Sequence, residues 1–239
     1  MSIMKYKSIN FSKNTRNIKK IKFIIIHYTG MQSMRASLYR LTSKRHKVSC
    51  HYLIDRKGTI FQLVEDNKIA WHAGKSKWKN KNSLNYNSIG IEISNPGHEY
   101  GYRKFNEKQI KTLIKISKFL IKKYKINKQN ILGHSDIAPL RKLDPGEKFP
   151  WKTLFEKKIG IWHTINNRKL KTYRGKILKI QSKQFLKYLK KFGYSVEHNN
   201  YRELLKIIKI FQMRFRPELI DGKLDLECYK IAKSLNNLR

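Results

Sequence analysis

Apolar positions change period several times along the chain, and each change marks an element. Residues 22–27 carry an unbroken apolar run, Phe23-Ile24-Ile25-Ile26, the pattern of a strand covered on both faces. The run ends at His27-Tyr28-Thr29-Gly30, where glycine turns the chain. Residues 33–44 fit a helix with Ser33 as N-cap. Two β-prone runs, 49–54 and 59–64, flank a turn containing Gly58 and predict a hairpin. A short strand within 69–74 leads into Trp71-His72-Ala73-Gly74, and residues 75–87, rich in Lys, Asn and Ser, read as an exposed loop. Residues 88–94 form another strand, with Glu92 flanked by isoleucines, and an acid in that setting needs a reason.

The longest helix opens at Asn106. Gln109 completes a capping box and Phe105 faces Ile110 as a staple. Its apolar stripe, Ile110, Leu113, Ile114, Leu120, Ile121 and Tyr124, is suited to cover a sheet. Ile131-Leu132 gives one more strand, and Phe149-Pro150-Trp151 starts a last short helix. The fold class is therefore α/β, a mixed central sheet flanked by helices over residues 1–160, with residues 1–20 as a polar arm on the surface. Residues 161–176 have little periodicity and read as a linker. Beyond them come three helices, 177–192 ending at Gly193, 201–215 stopped by Pro217, and one capped by Asp225 that runs to about 238. This 177–239 unit is near the lower size limit for folding alone.

Composition fits that picture: 40% hydrophobic and 12% aromatic residues are globular values. No apolar run approaches the roughly 20 residues that span a bilayer, and the N-terminal run of four is too short for a secretory signal. As encoded, the chain is expected to be cytoplasmic. A formal charge of +38 suggests a nucleic-acid partner at first sight. Lys and Arg are spread through every segment, however, so no specific nucleic-acid site is expected. What remains is a general, salt-sensitive attraction to polyanions. Cys50 and Cys228 fall in different units and form no disulfide framework.

The chemistry concentrates in 133–146, Gly-His-Ser-Asp-Ile-Ala-Pro-Leu-Arg-Lys-Leu-Asp-Pro-Gly. Pro139 and Pro145-Gly146 exclude a regular helix through this stretch and hold it as shaped turns. Such a loop can aim His134 and Asp144 at one point, and His27, ending its apolar strand, is the candidate third ligand. Two imidazoles and a carboxylate form a catalytic zinc set with one open position. Taken singly, each has an ordinary reading, as strand cap, local hydrogen bond or turn stabiliser. Asp136 either stabilises the loop or backs the ligands. His46, His98, His163 and His198 match no motif and read as surface residues.

These pieces closely resemble the zinc-dependent N-acetylmuramoyl-L-alanine amidases, in the superfamily that includes peptidoglycan recognition proteins, and within it the two-domain AmiD type. The matching segments are Ile25-Ile26-His27-Tyr28-Thr29, Ser49-Cys50-His51-Tyr52, Trp71-His72-Ala73-Gly74, Ser88-Ile89-Gly90-Ile91-Glu92 and 133–146, in the family's order. Residues 207–215 and 220–225 resemble a three-helix peptidoglycan-binding module. The resemblance implies one zinc ion per chain on His27, His134 and Asp144. Glu92 then matches the general base and Lys142 a cation beside the reacting carbonyl. His51, Trp71 and His72 look like cleft residues for sugar or peptide, with core packing as the competing reading. The implied substrate is the amide joining N-acetylmuramic acid to the stem peptide in peptidoglycan or muropeptides, met by a monomer. Exported relatives act in the periplasm or at the outer membrane. A cytoplasmic amidase recycling anhydro-muropeptides and a non-catalytic peptidoglycan-recognition protein are the alternatives. A cut near residue 160 is expected to spare hydrolysis of small muropeptides.

Overall fold

The computed structural model describes residues 2–176 and 182–237. In chain order the strands are β1 (Ile3–Lys5), β2 (Phe11–Ser12), β3 (Phe23–Tyr28), β4 (Tyr52–Ile54), β5 (Ile60–Gln62), β6 (Ile69–Ala70), β7 (Lys77–Trp78), β8 (Lys81–Asn82), β9 (Ser88–Ile93) and β10 (Ile131–Gly133). The α-helices are α1 (Met34–Thr42), α2 (Glu107–Tyr124), α3 (His134–Ile137), α4 (Trp151–Glu156), α5 (Asn167–Tyr173), α6 (Ser182–Phe192), α7 (Tyr201–Phe215) and α8 (Leu226–Leu235). Residues 177–181, the start of the first expected C-terminal helix, and residue 238 lie outside the described residues.

Six strands form one sheet in the order β1-β5-β4-β9-β3-β10. β4 and β5 are the antiparallel hairpin; the other neighbours run parallel, so the sheet is mixed as expected. β3 and β9 sit side by side inside the sheet, and both are covered on their two faces: all of β9 and all of β3 but Tyr28 are buried. Their register sets His27 opposite Glu92. α2 carries the capping box: the Asn106 side chain accepts from the Gln109 N–H, and the Gln109 side chain accepts from that of Asn106. Its buried side chains Ile110, Leu113, Ile116, Leu120 and Tyr124 join the main core. Among the described residues, no helix is long and apolar enough to cross a membrane.

Four segments differ from the sequence reading. The N-terminal arm is built into the fold, because β1 extends the sheet beside β5 and β2 pairs with β6. Arg16, only 3% exposed, anchors it by donating to the carbonyls of Asp66, Asn85, Tyr86 and Ser88. The 75–87 stretch is a small β7–β8 hairpin and a 3-10 turn rather than an exposed loop. Trp78 within it is fully buried against Phe192 and Tyr194. A single helical turn, α3, fits between Gly133 and Pro139, and Ala138 leaves helical geometry as a residue preceding proline does. Within 161–176, Asn166 caps α5, and Leu170 is buried. One apolar cluster runs from Ile21 to Leu235, so the C-terminal helices share the core of the sheet.

Candidate active site

Three parallel neighbours, β9, β3 and β10, deliver the site at one end of the sheet. Glu92 is next to last in β9 and His27 next to last in β3. His134 follows β10 directly, as the first residue of α3. Asp144 arrives from the loop beyond, where Ser135 N–H donates to its carbonyl and the Asp144–Pro145 peptide is cis. His27 Nδ1 lies 3.0 Å from His134 Nδ1 and 2.9 Å from Asp144 Oδ2; His134 Nδ1 lies 3.1 Å from the same oxygen. All three residues are buried, and together they could hold a metal ion.

The contacts behind the rings decide where the protons are. Ser88 Oγ gives its hydrogen to the Leu84 carbonyl at 2.6 Å, so toward His72 Nε2 at 3.2 Å it accepts. His72 Nδ1 is then a bare lone pair, facing His27 Nε2 at 3.1 Å, so His27 carries its proton on Nε2 and none on Nδ1. His134 Nε2 lies 3.1 Å from the Ala73 carbonyl and must donate to it, which leaves His134 Nδ1 bare as well. Burial favours this neutral arrangement. It pushes the His27 pKa down to about 4 against the pull of Asp144, and holds His72 well below the ordinary value too. Two imidazole lone pairs and a carboxylate oxygen thus converge with no hydrogen among them. Such a donor set fits a divalent cation, with the outer hydrogen bonds fixing each ring.

The ligand cluster opens on a cleft of about 380 Å³, lined also by His72, Glu92 and Lys142. Glu92 is 8% exposed and its Oε2 has no hydrogen-bond partner. Burial, reinforced by the charge of Asp144, pushes its carboxyl well above the usual range, while Lys142 pulls it back.

Residues 17–147 match the family described as N-acetylmuramoyl-L-alanine amidase. The chain is 38% identical over 232 residues to N-acetylmuramoyl-L-alanine amidase AmiD of Escherichia coli K12, covering 90% of this chain and 82% of that one. It belongs to the N-acetylmuramoyl-L-alanine amidase family. The amidase also superposes on AmiD from E. coli in complex with anhydro-N-acetylmuramic acid-L-Ala-D-gamma-Glu-L-Lys, with a TM-score of 0.82, 36% identity, and 95% and 91% of the two chains covered. AmpDh3 from Pseudomonas aeruginosa, in complex with anhydromuramic pentapeptide, gives a TM-score of 0.82 at 32% identity, covering 96% of each chain.

Of the other residues singled out in the amidase sequence, His72 lines the cleft, whereas His51 and Trp71 do not. His51 is fully buried: its Nδ1 accepts from the Gly90 N–H, its Nε2 reaches the Lys68 carbonyl, and its ring packs edge-on against His72. The Trp71 indole donates to Ser12 Oγ, tying the arm to β6. Of the histidines read as surface residues, one is exposed as expected but lines the cleft, and one is buried. His98 lines the cleft, bonded to the Tyr28 hydroxyl and Glu147. His163 is 5% exposed beside Trp162. Arg141 was missed: it donates to the Ala73 and Lys75 carbonyls, bracing the backbone that holds His134 Nε2. Its place three residues before Asp144 was the only signal.

Proposed function

We propose that this amidase hydrolyses the bond between N-acetylmuramic acid and L-alanine, using one zinc ion held by His27 Nδ1, His134 Nδ1 and Asp144 Oδ2. The observation that carries the reading is the convergence of three buried, proton-free donor atoms within 4.8 Å of one another. Zinc in a set of this kind supplies Lewis acidity toward the amide carbonyl and lowers the pKa of water toward ~7. The chain does the rest. Glu92, buried and unpartnered, takes a proton from the attacking water and hands it to the departing amine. Burial, by raising its pKa, makes that carboxylate a stronger proton acceptor. Lys142, on the rim of the same cleft, stabilises the negative charge that grows on the carbonyl oxygen. His72 keeps the His27 ring in the donor orientation.

The substrate class follows from the relatives, since both AmiD and AmpDh3 are solved with anhydro-muramyl peptides. We assign muropeptides of that kind as ligands here. The C-terminal helices and the +38 charge favour polymeric peptidoglycan as a further substrate. The test is mass spectrometry of products from an anhydro-muramyl tripeptide and from purified sacculi, with and without zinc. Release of free stem peptide that depends on zinc is expected. No release from either substrate by zinc-loaded protein would refute the assignment.

A further inference from the structure

Asp136 lies two residues after His134 and is 1% exposed. Its Oδ2 accepts from the Gly133 N–H at 2.6 Å, closing the first turn of α3. The same carboxylate receives Arg214 of α7 at Oδ2 and the hydroxyl of Tyr194, just past α6, at Oδ1. Arg214, 3% exposed, donates a second bond to the Ile131 carbonyl at 3.2 Å and stacks over the Trp151 ring at 4.0 Å. Two side chains from the C-terminal segment, one past the end of α6 and one on α7, therefore hold both the strand that leads into His134 and the turn that leaves it.

We propose that Arg214 and Tyr194 are positioning residues for the metal centre, so that the C-terminal helices are part of the catalytic apparatus as well as an accessory unit. The physical reason is the direction of their grip. β10 ends at Gly133, and His134 must turn its Nδ1 toward His27 while its Nε2 donates to Ala73. The backbone on either side of it is held by Gly133 through Asp136, and by Ser135, whose N–H donates to the Asp144 carbonyl. Asp136 shares one short turn with two ligand-bearing segments. A buried carboxylate is held in one orientation only while its cation stays paired, and removal of that cation leaves an uncompensated charge in the core. Crowding makes the fit tight: a Cβ on Gly133 would meet Pro145 at 2.6 Å, so the turn cannot relax toward the Asp144 loop. Loss of Arg214 or the Tyr194 hydroxyl thus moves the imidazole of His134 relative to Asp144.

The inference rests on the assignment of His134 as a zinc ligand, and the experiment separates the two. Zinc affinity is measured in the full chain by competition with a chromophoric chelator, at a temperature where circular dichroism shows each variant folded. His134→Ala tests the assignment and should lose zinc binding; unchanged affinity there refutes the ligand set itself. Tyr194→Phe keeps the ring against Trp78 and Phe192 and removes only the hydroxyl, and Arg214→Met removes the charge. Both are expected to weaken zinc roughly tenfold, the scale of lost support behind a metal ligand, with kcat on a soluble muropeptide falling in parallel. Arg214→Lys, which keeps a cation beside Asp136, should recover part of the loss. A purely structural role would lower the melting temperature alone. Wild-type zinc affinity in both folded variants, or in folded Tyr194→Phe if Arg214→Met fails to fold, would overturn the proposal.

Discussion

His72 Nδ1 faces His27 Nε2 at 3.1 Å, on the side of the His27 ring turned away from the other two ligand atoms. That contact, backed by Ser88 and Leu84, sets which nitrogen of His27 is bare. His72→Phe keeps an aromatic ring against Gly90 and removes the acceptor. It should weaken zinc binding by roughly 10- to 100-fold in a protein that stays folded. Calorimetric titration checks this, and an unchanged affinity would show that His27 is oriented by other means.

Gly90 lets that ring in. A Cβ there would meet the His72 ring at 2.4 Å, against atoms that have no room to withdraw. Gly90→Ala should therefore reproduce the metal defect of His72→Phe and lower the melting temperature as well. Wild-type stability and wild-type zinc content in that variant would contradict the packing described.

Glu92→Gln should keep zinc and lose turnover by about 10²- to 10⁴-fold, the usual contribution of a general acid–base group. It should also change the pH dependence of stability in metal-free protein. The folded state holds the Glu92 proton well above 4.5, where the unfolded chain releases it. Its stabilising contribution is thus present below that pH and lost as pH rises through the raised value. The variant should gain stability relative to the parent between pH 4.5 and 8 in urea unfolding. A constant difference across that range would remove Glu92 from the titration.

Lys142→Met should leave zinc content unchanged and reduce kcat by roughly 10²-fold or more, as loss of a donor to a developing oxyanion does. A rise in KM with normal kcat would make Lys142 a binding group only.

Trp78 is fully buried between the β7–β8 hairpin and the end of α6, and a Cβ on Gly193 would meet its ring at 2.5 Å. Trp78→Ala should cost about 3–5 kcal/mol of stability in chemical denaturation. By the same contacts, a chain cut near residue 160 leaves Trp78, Asp136 and Trp151 without their partners. It should lose hydrolysis of small muropeptides, the opposite of what independent domains would give.

The residues gathered at the cleft were legible because each ends or interrupts a clear apolar run: His27 after Ile24-Ile25-Ile26, Glu92 between isoleucines, His134 after Ile131-Leu132 and Gly133. His51 looked equivalent beside Tyr52, yet it lies beneath Gly90, behind His72. Sequence position alone cannot tell a ring in the cleft from one directly behind it. Arg16 and Arg214 were invisible for another reason. Among 54 Lys and Arg residues, nothing local separates these two, which hold buried carbonyls and a carboxylate, from those in solvent. Their roles exist only once distant segments meet. Trp78 was hidden in the same way, inside a stretch whose neighbours are polar.

β9, β3 and β10 are parallel neighbours, and their carboxyl ends open on one rim of the sheet. The framework below that rim is fixed by apolar pairing, while the segments that follow β3 and β9 line the cleft. Natural variation can therefore lengthen or rewrite the turns after Tyr28 and Ile93, altering which wall fragment is accepted, without shifting the atoms that break the bond. Selectivity and bond cleavage are separable traits in this architecture, and selection can act on the first while leaving the second intact.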